Sequence, residues 1–170
     1  MKTVVKSDKI PDKSIIANEF GKTDYCDSYR IVKQTNETVD EITTQIFKMP
    51  QWVIGLMTIR NSIVKIFGLK TGKNQNLNGA AYYPVGSKAG YFTVTERNAN
   101  EIVMGEDDRH LYFRASVMVD REPSFIYLTT IVRFHNAWGR IYFLPVKPFH
   151  RLIIKSLMKR QVAEKDTFLT

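Results

Sequence analysis

The stretch RFHNAWGRIYFLPVKPFHR, residues 133–151, decides how the carboxyl-terminal part of the chain folds. Asn136 to Gly139 is typical of a turn, because Asn and Gly are common where the backbone reverses direction. Residues 140–146 are rich in β-branched and aromatic side chains and predict the last strand of a sheet. Pro145 and Pro148 are expected to end that strand, since proline cannot donate a ladder hydrogen bond. The stretch thus predicts a final hairpin that leads into a closing helix.

The closing helix is predicted over residues 149–165, where apolar side chains recur at helical spacing from Phe149 onward. His135 and His150 would then flank the last strand. At about 3.3 Å per strand residue, the two rings are too far apart to pair directly. We expect His135 to hydrogen-bond backbone or turn groups near Asn136, and His150 to pack on the first helical turn. No metal site is expected, because the chain has no HxH, HExxH or CxxC spacing.

An antiparallel meander is predicted before this stretch. Residues 91–97, 100–105, 110–119 and 125–135 are rich in β-branched and aromatic residues, and turn-like residues separate them. Alternation along the two longest segments is typical of strands that cover a core on one side. The residues expected to share that face are Leu111, Phe113, Ala115, Val117 and Val119 from one strand, and Ile126, Leu128, Thr130, Val132 and Phe134 from the next.

The amino-terminal part predicts an arm, a strand and a helix. Residues 1–22 are polar and are interpreted as the arm, and residues 24–33 as the first strand. Thr38 and Glu41 form a capping-box pattern, which predicts a helix that runs to about Lys48.

A second helix is expected to begin at Pro50 and to end before Gly68, because proline is tolerated in a first helical turn and glycine is common after the last. Residues 70–90 are rich in Gly and Asn and predict a long loop. The predicted organisation is an arm, one domain and a short tail, over residues 1–22, 23–165 and 166–170.

Composition and charge limit the class of protein. Hydrophobic residues make up 44% and charged residues 25%, which is typical of a soluble globular protein. No apolar run approaches the roughly 20 residues that span a bilayer. Because Cys26 is the only cysteine, no internal disulfide is expected. Because no signal-peptide pattern is present, a cytoplasmic location is expected. The net charge of +8 is scattered and no aromatic RNA-binding platform occurs, so no nucleic-acid partner is expected. The oligomeric state is left open.

No catalytic signature is present. Cys26 lies beside Asp24 and Asp27, and a neighbouring carboxylate raises the pKa of a thiol rather than activating it. Ser116 and Ser124 lie outside any GxSxG elbow. No phosphate-binding loop or other cofactor motif occurs, so no cofactor is expected.

Several segments carry a resemblance to a known family. They are DYCDSYRI (24–31), PQWVIGLMTIRNSIVKIFGL (50–69), NEIVMGEDDRHLYFRASV (100–117) and IVRFHNAWGRIYFLPVKPFHRLI (131–153). In these segments the chain resembles the DUF2867 family of bacterial proteins, and departs from it at single positions near Pro50 and Arg60. The resemblance implies the α+β helix-grip fold of the START and Bet v 1-like (SRPBCC) superfamily. In that fold a curved antiparallel sheet wraps around a long C-terminal helix, with two short helices after the first strand. The resemblance to this family implies no established activity.

The implied fold predicts a cavity between the sheet and the closing helix that binds a small hydrophobic or amphipathic molecule. The same apolar side chains would serve equally well as a filled core. Arg60 and Arg140 are expected to form ion pairs with Asp24 or Asp27, and recognition of an anionic ligand group is the alternative. The candidate ligand-binding residues are Trp52, Met57, Arg60, Phe92, Phe113, Leu128, Phe143 and Phe149.

Two other functions remain open at this point. An enzyme of the cyclase or aromatase type, which the fold also implies, would need a general acid or base inside the cavity. His110 and Arg114 are expected on the opposite face of their strand and do not fit that role. An interaction module would use the basic C-terminal helix, with Lys155 and Lys159, to dock on an acidic partner.

Overall fold

The computed structural model describes residues 3–48, 50–55 and 81–163. These residues build a seven-stranded sheet in which all neighbouring strands are antiparallel. The strands are β1 (Val5–Ser7), β2 (Tyr25–Val32), β3 (Lys88–Ala89), β4 (Phe92–Arg97), β5 (Glu101–Asp107), β6 (Leu111–Asp120) and β7 (Phe125–Phe134). Their spatial order is β1-β2-β7-β6-β5-β4-β3, so the predicted meander is extended at one edge by β2 and β1. The α+β class and the antiparallel sheet are confirmed.

Two helices, α1 (Val39–Phe47) and α2 (Ala137–Ala163), pack on one face of the sheet, called the inner face. Helix α1 begins at the predicted capping box, because the backbone N–H of Glu41 donates to Thr38 Oγ1 and the N–H of Thr38 donates to Glu41 Oε2. No helix of the described residues combines the length and apolar content needed to cross a bilayer.

The predicted second helix and long loop are described only in part. Residues 51–55 are helical, as expected after Pro50, and the rest of the helix lies outside the described residues. The loop expected over residues 70–90 is wrong at its carboxyl end, because Lys88 and Ala89 form β3 and pair with β4. Gly90, with a φ of +61°, makes the reversal between these two strands.

Helix α2 overturns the predicted last strand. Residues 140–146 are helical, and Pro145 and Pro148 lie inside the helix instead of ending a strand. Both prolines face solvent, so the backbone groups that they leave unpaired can be hydrated. Because α2 begins well before Phe149, His150 lies near its middle and not in its first turn. The buried or half-buried residues that give this segment a helical period are Gly139, Tyr142, Phe143 and Val146.

Asn136 caps helix α2 instead of making the predicted turn. Its Oδ1 accepts a hydrogen bond from the backbone N–H of Gly139 at 3.1 Å. A Cβ at Gly139 would lie 2.2 Å from the carbonyl oxygen of His110, so only glycine lets this turn rest on the β5–β6 hairpin. His135 donates its backbone N–H to the same oxygen at 2.9 Å, and its Nδ1 lies 3.3 Å from the carbonyl oxygen of Arg109. The predicted backbone role of His135 is confirmed.

Both faces of the sheet are covered. The predicted sharing of faces is confirmed, since Val117 of β6 and Leu128 of β7 lie in one core with residues of α1 and α2. The opposite, outer face is covered by the segment before β2, where Ile16 packs with Val103 and Ile131. The residues interpreted as an arm therefore lie against the sheet, and the limits of the domain remain a prediction.

Candidate functional site

A polar cluster lies between the inner face of the sheet and helix α2. Tyr25 and Asp27 are two residues apart on β2, so their side chains share one face. Thr130 on β7 lies directly opposite Asp27 in the register of the two strands. His150 of α2 reaches Asp27 from above the sheet. We refer to these four residues as the Asp27 cluster.

The carboxylate of Asp27 lies at the centre of the cluster and is completely buried, with 0% of the residue exposed. Its Oδ2 accepts a hydrogen bond from the Tyr25 hydroxyl at 2.5 Å. Its Oδ1 lies 3.4 Å from Nε2 of His150, a contact that is an ion pair only when the imidazole is protonated. A buried carboxylate is costly unless donors surround it. Within the described part of the chain, Asp27 therefore has one short hydrogen bond and one long one.

Tyr25 connects the cluster to the basic side of α2. Its hydroxyl accepts a hydrogen bond from Nε of Arg151 at 3.3 Å, and Nζ of Lys147 lies 5.1 Å from its ring centre. Phe143 packs edge-on against the ring, with the two centroids 4.8 Å apart. Burial, followed by the hydrogen bond to Asp27, raises the pKa of Tyr25. The phenol therefore keeps its proton at neutral pH and donates it to the carboxylate.

The groups next to the cluster are neutral. Burial, with a smaller effect of the Asp27 charge, raises the pKa of the Cys26 thiol to about 11, so the predicted unactivated thiol is confirmed. The same two causes raise the pKa of Tyr29 to about 12. Thr130 Oγ1 is buried and has no hydrogen-bond partner among the described residues. Its hydroxyl therefore retains hydrogen-bonding capacity beside Asp27.

The Asp27 cluster places a phenol, an imidazole and an alcohol around a completely buried carboxylate, between the sheet and α2. A carboxylate in such surroundings binds hydroxyl and amine groups strongly, and the imidazole and phenol are groups that commonly transfer protons. In the ranges that the structure describes, no group of three or more His, Cys, Asp and Glu residues is placed to hold a metal ion.

Some of the predicted ligand-binding residues come together in the structure. Phe92 and Phe113 have ring centroids 4.9 Å apart and pack against the core that contains Leu128. Phe143 lies in another place, beside Tyr25 in the Asp27 cluster.

The other predicted ligand-binding residues are not brought into this arrangement. Trp52 is 43% exposed and Phe149 is 52% exposed, so both side chains face solvent to a large extent. Met57 and Arg60 lie outside the described residues.

The predicted contact of Arg140 lies at the surface, and the predicted contact of Arg60 falls outside the described residues. Arg140 pairs with Asp24 at 3.6 Å, as expected, but its side chain is 69% exposed, and such pairs stabilise proteins little. Arg114 lies on the outer face, as expected, where it pairs with Glu19 and Asp107. Neither Arg140 nor Arg114 enters the Asp27 cluster.

A separate pocket lies on the outer face, where β1 and the following residues cover the edge of the sheet. It has a volume of about 360 Å³, and its walls include Ser28, Arg30 and Tyr127. Ser28 follows Asp27 on β2 and therefore points to the other side of the sheet. This pocket is distinct from the ligand cavity expected beneath α2.

Sequence reasoning missed the Asp27 cluster, although one signal was present. Tyr25, Asp27 and Tyr29 alternate along β2, which places a carboxylate on the face that the tyrosines share. From the sequence, Asp27 is expected to pair with an arginine and to raise the pKa of the Cys26 thiol. His150 could not be matched to it, because the two residues are 123 positions apart in the chain.

Comparisons with known proteins give one match. A family model described as "Protein of unknown function (DUF2867)" matches residues 19–157. No curated protein and no solved structure matches the chain.

Proposed function

The chain belongs to the DUF2867 family, and on that premise we propose that it binds a small amphipathic molecule between the inner face of its sheet and helix α2. We also propose that the sheet and α2 form the helix-grip fold of the START and Bet v 1-like superfamily. The observation that carries the proposed function is the buried carboxylate of Asp27, for which Tyr25 is the only close donor among the described residues. A hydroxyl or amine of the ligand would complete its hydrogen bonds.

The polar end of the ligand is proposed to lie among Asp27, Thr130 and His150. Thr130 Oγ1 is buried without a partner in the described ranges and can either donate or accept. The His150 side chain is only 14% exposed, so α2 shields this end from water. Hydrogen bonds to charged groups contribute about 1.5–3 kcal/mol each, which is enough to fix the orientation of a small molecule.

The apolar body of the ligand is proposed to extend across the neighbouring strands. Tyr25 lies opposite Val132, and Val132 lies opposite Phe113. Strands are about 4.8 Å apart, so Phe113 is about 10 Å from Tyr25, a span that suits a small amphipathic molecule. The apolar wall would consist of Phe92, Phe113 and Leu128, and Phe143 would contact the ligand beside Tyr25.

A second candidate function, an enzyme of the cyclase or aromatase type, is favoured by one feature. The carboxylate of Asp27 contacts both the phenol of Tyr25 and the imidazole of His150. This arrangement joins a group that accepts protons to two that can donate them, which is the requirement for general acid–base chemistry.

Two measurements test the proposed binding function. Native mass spectrometry of the purified protein would detect a retained molecule, and titration with the fluorescent amine phenylnaphthylamine would measure binding directly. Asp27→Asn replaces a charged acceptor with a neutral one, so we expect about fivefold weaker binding of the amine. Ser28→Ala is the matched control, because it changes the next residue of the same strand on the outer face. It should bind like the wild type.

The outcomes separate the two functions. A binding protein would retain the same molecule in the wild type and in Asp27→Asn, with lower occupancy in the variant. An enzyme that forms an aromatic ring with loss of water would retain molecules of different mass in the two proteins, because the variant would hold unconverted substrate. If the wild type retains nothing and takes up no probe, or if Ser28→Ala weakens binding as much as Asp27→Asn, the proposed site is wrong.

A further inference from the structure

Helix α2 has a second apolar face that is not directed at the sheet. Its buried face includes Ile154, Leu157 and Met158, which belong to the core. On its other side the large apolar side chains are half or more exposed. They are Trp138 at 59%, Ile141 at 53%, Leu144 at 70%, Phe149 at 52% and Leu152 at 55%. An exposed apolar patch of this kind marks an interaction surface.

These side chains form a continuous stripe along the helix. Trp138, Ile141, Pro145, Phe149 and Leu152 follow one another at intervals of three and four residues, so they lie on one side of the helix. At about 1.5 Å per residue the stripe is about 21 Å long. We refer to these five residues together with Leu144 as the outer stripe.

The charge of α2 is of one sign only. The helix contains no aspartate or glutamate, and its basic residues are Arg140, Lys147, Arg151, Lys155, Lys159 and Arg160. In the helical projection Arg140, Lys147, Arg151 and Lys155 lie along one side of the outer stripe, with Leu144 among them. Lys155 and Lys159 are exposed, and neither has a carboxylate partner among the described residues.

We propose that the outer stripe of α2 docks on the surface of an anionic lipid bilayer. Tryptophan, phenylalanine and leucine beside a row of lysines and arginines are typical of helices that lie in the bilayer interface. The opposite face of α2 packs on the sheet, so the helix would lie along the surface. A second copy of the chain fits this face less well, because it would bring two rows of positive charge together. The inference does not depend on the proposed ligand site.

Sedimentation with lipid vesicles tests the proposal on the full chain. We expect binding to vesicles of phosphatidylcholine and phosphatidylglycerol in equal amounts, and much weaker binding to vesicles of phosphatidylcholine alone. The double variant Phe149→Ser, Leu152→Ser should weaken binding to the mixed vesicles by about tenfold or more, because two apolar side chains no longer enter the interface. The double variant Lys155→Gln, Lys159→Gln should weaken it by about fivefold for each lysine.

Matched controls separate the outer stripe from general surface effects. Val32 and Val85 are 59% and 60% exposed elsewhere on the protein, so Val32→Ser, Val85→Ser should bind like the wild type. Lys9→Gln, Lys22→Gln removes as much charge from the exposed amino-terminal segment and should have a clearly smaller effect than the α2 lysine variant. Circular dichroism would show that all four variants are folded.

The proposal is overturned if the wild type does not sediment with the mixed vesicles, or binds neutral and anionic vesicles equally. It is also overturned if the outer-stripe variant binds as well as its control. Self-association that disappears in Phe149→Ser, Leu152→Ser, without vesicle binding by the wild type, would assign the stripe to a second copy. Capture of an acidic protein without vesicle binding would assign it to a protein partner.

Discussion

Two buried carboxylates of this protein, Asp40 and Asp27, are surrounded very differently. Asp40 on α1 accepts two hydrogen bonds from the guanidinium of Arg97, at 2.8 and 2.9 Å, and one from the backbone N–H of Tyr83 at 2.8 Å. Asp27 on β2 accepts one at 2.5 Å from Tyr25 and has His150 at 3.4 Å. The two residues are 5% and 0% exposed, so burial alone does not explain the difference.

The difference indicates that Asp40 stabilises the fold, whereas Asp27 is placed to bind a ligand. A bidentate arginine with a backbone donor satisfies a carboxylate almost completely, and Asp40 thereby connects α1 to β4 and to the segment before β3. Among the described residues Asp27 has fewer donors, and it lies beside a threonine hydroxyl that has no partner there. Incomplete satisfaction in a buried position has a free-energy cost, and such costs are concentrated at functional sites.

The largest expected effect is from Asp40→Asn. The amide would leave the Arg97 guanidinium buried without its counter-ion, and breaking such a pair costs about 3 kcal/mol or more. Denaturant unfolding followed by circular dichroism measures the change. Glu96→Gln is the matched control, since it removes a carboxylate from an exposed position next to Arg97. A loss of less than about 1 kcal/mol would place Asp40 among ordinary surface pairs.

A smaller loss is expected from Glu101→Ala on the outer face. Glu101 is 1% exposed, and its carboxylate accepts hydrogen bonds from Ser14 Oγ at 2.5 Å and from the backbone N–H of Ile15 at 2.8 Å. Removal leaves both donors unsatisfied and should cost about 2 kcal/mol. Because these bonds hold the amino-terminal segment on the sheet, cleavage by trypsin after Lys13 should become faster. Unchanged cleavage would show that apolar packing of Ile16 alone holds the segment.

The next effect concerns acid stability. Burial would raise the pKa of Asp40, but the hydrogen bonds from Arg97 and from the backbone of Tyr83 outweigh burial and lower it. A carboxyl group with a lowered folded-state pKa contributes stability that is complete above about pH 4 and is lost as the pH falls through the folded value. As the pH is lowered from 4, the unfolding free energy of the wild type should therefore decrease more steeply than that of Asp40→Asn. The difference in slope should correspond to the uptake of up to about one additional proton on unfolding. Equal slopes in the two proteins would contradict the assignment.

The features of the fold that depend on neighbouring residues in the chain can be predicted from the sequence. The capping box of Thr38 and Glu41 predicts the start of α1, and alternation along β6 and β7 predicts which residues face the core. The composition of residues 140–146 predicts a strand, although the spacing of their apolar side chains suits a helix as well. What decides for the helix is the packing of Gly139 and Asn136 on the β5–β6 hairpin, which local sequence does not contain.

The candidate site depends even more on contacts between distant residues. Asp27 can be assigned to the inner face from its alternation with Tyr25 and Tyr29. The contact of Asp27 with His150 requires that α2 continue through Pro145 and Pro148. From sequence alone, these two prolines would instead be expected to interrupt a helix. Composition could therefore predict an apolar wall with Phe113 and Leu128, but not the polar group beside it.

The smallest effect on stability, and the one that most sharpens the comparison, is expected from Asp27→Asn. The Tyr25 hydroxyl can still donate to the amide oxygen, and a buried charge is removed, so we expect a change of less than about 1 kcal/mol in either direction. Its stability should thus remain close to that of the wild type while Asp40→Asn loses several times as much, even though Asp27 is the more deeply buried of the two. Denaturant unfolding of both variants under the same conditions measures the ratio. If Asp27→Asn loses as much stability as Asp40→Asn, then the Tyr25–Asp27–His150 contacts stabilise the fold in the same way as the Arg97 pair, and the burial of Asp27 no longer indicates a ligand site.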